Sequence, residues 1–243
     1  MSYPFPSIER KVYPKTFLKD VHMTIRFDAM ERTSELDAEV EKFFKESFSL
    51  EGISTSSLEK GIKVFSKNMQ IVFGFGLNMV ELTVKQPDYV SYTHIQPCRE
   101  LMKKYLCVLK VKDLKGLMMY KYNQLEYQTT GDKQMKDVMR DVFSGELMLD
   151  EEDIPTDNTR WEKTRQIPDG NPVQSLFTIE YGYRKDAQDS RCGALTLKTQ
   201  IESTMDGIAL TDVEKRMELF NQTLDDGFHW CVVPEIIKMM KEL

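Results

Sequence analysis

Apolar and polar side chains alternate over residues 17–27. Phe17, Val21, Met23, Ile25 and Phe27 share one face, interrupted at Lys19, and Leu18, Asp20, His22, Thr24 and Arg26 share the other. A period of two predicts a half-buried strand. The period then lengthens. Leu36, Val40, Phe43, Phe44 and Phe48 recur at helical spacing, with Ser34 placed as an N-cap. After a turn-rich break from Gly52 to Ser57, short runs at 62–66, 69–75, 78–85 and 88–93 predict strands. Lys67-Asn68, Gly76-Leu77-Asn78 and Gln86-Pro87-Asp88 supply the turns between them. Pro97 then opens a helix with the stripe Leu101, Met102, Tyr105, Leu106 and Leu109, ending near Lys112.

The same order follows again. A strand at 117–128 places Leu117, Met119, Leu125 and Tyr127 on one face, and Met118, Tyr120, Tyr122, Gln124 and Glu126 on the other. A short helix at 132–143 turns Met135, Val138, Met139 and Val142 inward. The acidic, proline-bearing stretch 145–173 predicts a long loop and one strand around 159–166. Strands at 175–184 and 193–203 follow. Thr211 and Glu214 have the spacing of a capping box, and Val213, Met217, Phe220, Leu224 and Phe228 form the stripe of the final long helix. Pro234 starts a last short helix with Ile237 and Met240. Strand, helix, strands, helix thus occurs twice, over 1–113 and 114–243. The expected fold is α+β, with antiparallel or mixed sheets packed by long helices in two pseudo-repeated halves, as two domains or one compact domain.

With 243 residues, 41% of them hydrophobic, the chain can bury a sizeable core. No apolar run approaches the roughly 18 residues of a membrane helix, and Met1 to Pro6 lacks the pattern of a secretory signal. The expected location is the cytoplasm, with Cys98, Cys107, Cys192 and Cys231 as free thiols in small buried apolar positions. A net charge of −6 argues against general nucleic-acid binding. Charge is nonetheless uneven. Residues 97–122 carry Arg99, Lys103, Lys104, Lys110, Lys112, Lys115 and Lys121 against Glu100 and Asp113, whereas 141–157 carry seven acidic residues and no Lys or Arg. These are two solvated surfaces, or a basic partner site flanked by an acidic loop.

Candidate chemistry is sparse. Gly74-Phe75-Gly76 precedes no helix and reads as a hairpin, since a phosphate cradle needs amides at a helix N-terminus. His22, His94 and His229 do not combine with the cysteines into the paired spacing of a zinc site, so no metal or cofactor is expected. Asp150-Glu151-Glu152-Asp153 are consecutive in a loop and converge poorly on one ion. Arg26 lies on the polar face of the first strand, while Lys121 and Asn123 fall in the inward phase of the strand at 117–128. Each is structural glue or part of a concave site.

Three segments together resemble a sporadically distributed, uncharacterised prokaryotic family of about this length. They are Val21-His22-Met23-Thr24-Ile25-Arg26-Phe27, the stretch from Val80 through Tyr120-Lys121-Tyr122-Asn123, and Leu219 to Met240. The resemblance carries Arg26 and Asn123 onto a strand Arg and a strand Asn of the family. The chain departs at Tyr120 and Gln124, where members often have Arg, and that weakens a shared anionic-ligand site. The family's patchy distribution resembles that of mobile or antiviral defence genes.

The expected function is therefore a non-enzymatic binding or assembly protein, an accessory or regulatory component of a prokaryotic defence or toxin–antitoxin-like system. Its expected partner is a protein, with self-association as a further option and no membrane. The alternative is a nucleic-acid or nucleotide binder using Arg99, Lys103, Lys104, Lys110 and Lys121, and Arg26 and Asn123 are further candidate ligand-binding residues. A carboxylate-dependent hydrolase drawing on the 150–153 loop ranks below both. The seam between the two halves is where a working surface is expected.

Overall fold

A computed structural model describes residues 5, 16–48, 53–54, 61–66, 68–86, 88–128, 135–148, 159–168, 174–186, 188 and 192–242. The side chains of 53–54, 135–136, 146, 159–168, 174, 185 and 204–207 fall outside this description. The fold is α+β. In chain order the elements are β1 (Leu18–Phe27), α1 (Ser34–Ser47), β2 (Ile53–Ser54), β3 (Ile62–Phe65), β4 (Ile71–Phe75), β5 (Met79–Lys85), α2 (Gln96–Val108) and β6 (Asp113–Gln128). They continue with α3 (Met135–Arg140), α4 (Gly145–Met148), β7 (Thr159–Pro168), β8 (Gln174–Lys185), β9 (Cys192–Ala209), α5 (Val213–Cys231) and α6 (Pro234–Lys241).

The strands form one nine-stranded sheet in the order β2-β3-β4-β5-β1-β6-β9-β8-β7. All of its pairings are antiparallel. The opening strands of the two halves, β1 and β6, pair at its centre with Met23 opposite Met119. The last strand of the meander β2-β3-β4-β5 in the first half, and of β7-β8-β9 in the second, returns beside the opening strand, β5 against β1 and β9 against β6, and a helix follows. The boundary expected at 113 falls at the start of β6.

Helices cover one face. On it β1 places Val21, Met23 and Ile25, β5 places Val80, Leu82 and Val84, β6 places Leu117 and Met119, and β9 places Leu195, Leu197 and Ile201, all buried. Over the first half, Phe43 and Phe44 of α1 and Tyr105 of α2 close on Phe75, with ring centroids 5.6, 5.3 and 4.8 Å away. Over the second, Phe143 meets Tyr181 at 5.5 Å and Phe5 meets Phe177 at 4.8 Å. Buried aromatic edges of this kind contribute beyond their area. No helix among the described residues is long and apolar enough to cross a membrane.

Several local expectations change. The ladder shifts between Leu18 and Asp20, so Lys19 is the extra residue of a bulge. The shift flips the phase, and Leu18, opposite Asn123, continues the buried face in place of Phe17. Thr33, not Ser34, caps α1 by accepting a hydrogen bond from the Leu36 amide at 3.1 Å. Residues 88–93 form turns that bring Tyr89 into the core. Helix α2 ends at Val108, not near Lys112, because Lys110 adopts a left-handed φ of 56°. There the Lys110 amide donates to the Cys107 carbonyl and the Val111 amide to the Leu106 carbonyl, which is a Schellman closure. Strand β6 begins four residues earlier than expected, and β9 runs on to Ala209. Thr211 and Glu214 form no capping box: a short 3-10 turn precedes α5, and the α5 N-cap has no side-chain bond. Of the cysteines only Cys231 is buried, and Cys107 is exposed. Asp150 to Asp153 and the turn residues Lys67 and Pro87 lie outside the described residues.

Candidate binding surface

The seven residues singled out from sequence do not meet on one surface. Lys121 and Asn123 face the helices, while Arg26 points from the opposite face of the sheet. Arg99, though on a helix surface by charge, is buried. Its guanidinium pairs with Glu214 of α5 and lies 3.7 Å from the centre of the Tyr92 ring. Lys121 Nζ pairs with Asp225 Oδ1 of α5 at 2.5 Å. Burial raises the Tyr89 hydroxyl, and the adjacent Lys121 works against that rise. Asn123 donates to the Leu197 carbonyl at 3.4 Å. Arg99 therefore ties the closing helix of the first half to that of the second, and Lys121 ties α5 to the sheet. Glutamate 214, released from a capping role, serves this contact.

Lys103, Lys104 and Lys110 are exposed on or just beyond α2. Lys104 lies 3.9 Å from Glu46 of α1 and 5.8 Å from the centre of the Phe43 ring. The basic segment is thus divided among buried ion pairs, the surface at α2 and its end, and the start of β6, where Lys115 lies 3.6 Å from Asp28.

On the other face of the sheet no described helix packs. Its side chains form cross-strand rows. Lys85, Asp20, Tyr122, Lys198 and Glu180 make one, and Thr83, His22, Tyr120, Gln200 and Thr178 the next. Glu81, Thr24, Met118, Glu202 and Leu176 make a third, in which Leu176 is 44% exposed. Asp20 lies on this face beside Tyr122 by the same alternation as His22 and Thr24, and the bulge at Lys19 changes only the phase of the residues before it.

The centre of this face is internally bonded. His22 bridges Thr83 Oγ1 at 2.8 Å and Thr24 Oγ1 at 2.9 Å, and its ring stacks on Tyr120 with centroids 4.9 Å apart. Burial, with the positive Lys198 nearby, lowers the His22 pKa to about 4, so the imidazole is neutral. Burial, followed by the carboxylates of Asp20, Glu81 and Glu180, pushes Tyr120 up to about 12. Lys198 Nζ lies 4.7 Å from the Tyr120 ring centre and 3.2 Å from Glu180 Oε1. Arg26 pairs with Glu202 at 2.7 Å. Asp20, raised by burial, keeps one buried oxygen without a hydrogen-bond partner.

Beside this network, over the ends of β6, β9 and β8, the face sinks into a hollow of about 1420 Å³. Small residues make its floor. Thr196 lies between Gln124 and Gly182, and Ala194 between Glu126 and Arg184. Tyr122, Lys198 and Glu180 wall one end.

The alternation of β6 had already turned Tyr120, Tyr122, Gln124 and Glu126 to one side. The sequence reading missed their partners Lys198, Glu180, Ala194 and Arg184, because strand register between distant segments has no local signal. Tyr181 and Tyr183 are core residues. Among the described residues no group of three or more His, Cys, Asp or Glu is placed to hold a metal ion.

No family model matches the chain, and no curated protein matches it. Among solved structures, the aspartate kinase of Clostridium acetobutylicum aligns with 90% of this chain at 9% identity and a TM-score of 0.21. The chain spans 37% of that protein's length. A likeness this slight carries no argument about fold or activity.

Proposed function

We propose that this is a non-enzymatic binding or assembly protein that holds a protein partner on the face of its sheet where no described helix packs. The observation that carries the reading is the hollow over β6, β9 and β8, which has tyrosine, amide and charged walls. Protein interfaces combine aromatic anchors with a polar rim in this way. Leu176, an exposed large apolar residue, lies on the same face. The basic segment supports nucleic-acid binding less well, since Arg99 and Lys121 are committed to ion pairs. A cytoplasmic accessory or regulatory role in a defence or toxin–antitoxin-like system belongs to the same proposal and is supported by the family resemblance.

The test is affinity capture from the native host, quantified by mass spectrometry. Tyr122→Ala, Leu176→Asp and Thr196→Trp combined should abolish a partner that Lys103→Glu with Lys104→Glu retains. The reverse pattern would place the working surface on the helical side and overturn the reading.

A further inference from the structure

We infer that the hollow receives a segment of a partner protein presenting an acidic side chain to Arg184 and a basic one to Glu126. The inference rests on the face without a described helix being the working surface.

Pairing distinguishes one end of the hollow from the other. At the end walled by Tyr122, Lys198 pairs with Glu180, and farther along the face Arg26 pairs with Glu202. Glu126 and Arg184 instead stand in one row with Ala194 between them. Two strand spacings separate their backbones, about 10 Å. Both are exposed, and neither forms an ion pair among the described residues. The side-chain amides of Gln124 and Gln128 have no described partner. Glu126, Arg184, Gln124 and Gln128 thus offer one anion, one cation and two amides around a floor of small side chains.

Size and charge select among ligands. Small-molecule sites occupy roughly 300–1,000 Å³, and this hollow of about 1420 Å³ exceeds that range. A polyanion is poorly matched, because affinity for phosphates grows with the number of neutralising cations and Glu126 and Asp186 also line the site. Strand addition does not apply to the floor strand β9, because β6 and β8 pair both of its edges through the hollow. Over that floor, recognition comes from side chains. The Arg184 fork can take a carboxylate through two parallel hydrogen bonds, Glu126 can accept from an ammonium or guanidinium, and the glutamines suit a peptide backbone. Charges placed this way set register and exclude wrong partners.

The test starts from random dodecapeptides displayed on phage and selected on the full chain, discarding clones that also bind Glu126→Lys/Arg184→Glu. Because both positions are exposed, this double variant should melt as the wild type does. The best peptide, synthesised with blocked ends, should contain an acidic and a basic residue. Arg184→Glu alone should weaken it by roughly tenfold or more. Reversing the peptide's charge signs should transfer its preference to the double variant. An empty selection, a peptide indifferent to both substitutions, or tighter binding of single-stranded RNA overturns the inference. If the native partner is lost with Y122A/L176D/T196W but kept by the charge-inverted variant, the hollow's ligand is wrong and the face remains right. If both variants keep the partner, both readings fail.

Discussion

Gly227 of α5 lies against the Phe177 ring of β8 so closely that a Cβ at 227 would overlap the ring. Phe177 is fully buried and also meets Phe5 edge to face, with ring centroids 4.8 Å apart. The glycine lets the long helix settle onto the sheet. In an exposed helix interior, Gly→Ala stabilises by about 1 kcal/mol. Here Gly227→Ala should instead destabilise by about 1–3 kcal/mol, the usual cost of overpacking. Urea unfolding checks this, and adding Phe177→Leu should recover part of the loss.

Lys110 gives the opposite case. It closes α2 with a φ of 56°, a region costly for a residue with a Cβ. Lys110→Gly should raise stability by about 1 kcal/mol, read as a higher melting temperature. A lower one would mean that the lysine side chain makes a compensating contact.

The Lys121–Asp225 pair is asymmetric. Lys121 has a side-chain exposure of 7%, and Asp225 of 36%. Removing the acid leaves a buried cation, whereas removing the lysine leaves an anion that water can reach. Asp225→Asn should therefore cost about 2–4 kcal/mol, and Lys121→Met clearly less. Equal costs in chemical denaturation would contradict this account.

His22 predicts a pH dependence. Its folded pKa of about 4 lies below the ordinary 6.5. Between these values the unfolded chain binds the proton and the folded chain does not, so stability falls as pH drops from about 6.5 towards 4 and then levels off. Asp20 runs the other way in acid, since its folded pKa is raised. The His22 contribution is at most about 3 kcal/mol. His22→Gln should flatten the slope, and NMR titration should show no protonation of His22 above pH 5.

Local periodicity made most elements legible. Alternation in β1 and β6 assigned Met23, Met119, Lys121 and Asn123 to the buried face and Arg26, Tyr120 and Tyr122 to the other, as found. The stripe Val213, Met217, Phe220, Leu224 and Phe228 named the buried side of α5. Errors gathered at element ends. There one hydrogen bond decides, as with Thr33 at the start of α1, or one backbone angle, as with Lys110 after α2.

The candidate site was less legible. Its residues come from β6, β8 and β9, and a sequence period assigns a residue to a face without saying which strand lies beside it. Charge counting along 97–122 grouped residues that the fold sends to different sides, because Arg99 turns in to meet Glu214 while Lys103 turns out.

By itself, then, the sequence determined the repeated order of strands and helices and the face on which each strand residue lies, because backbone geometry fixes periods of two and 3.6. Only the tertiary structure decided that both halves share one sheet through β1 and β6. It alone decided that helices cover one face, and that Glu126 and Arg184 flank Ala194 across a trough. Those relationships depend on register between distant strands, which packing of the whole core sets.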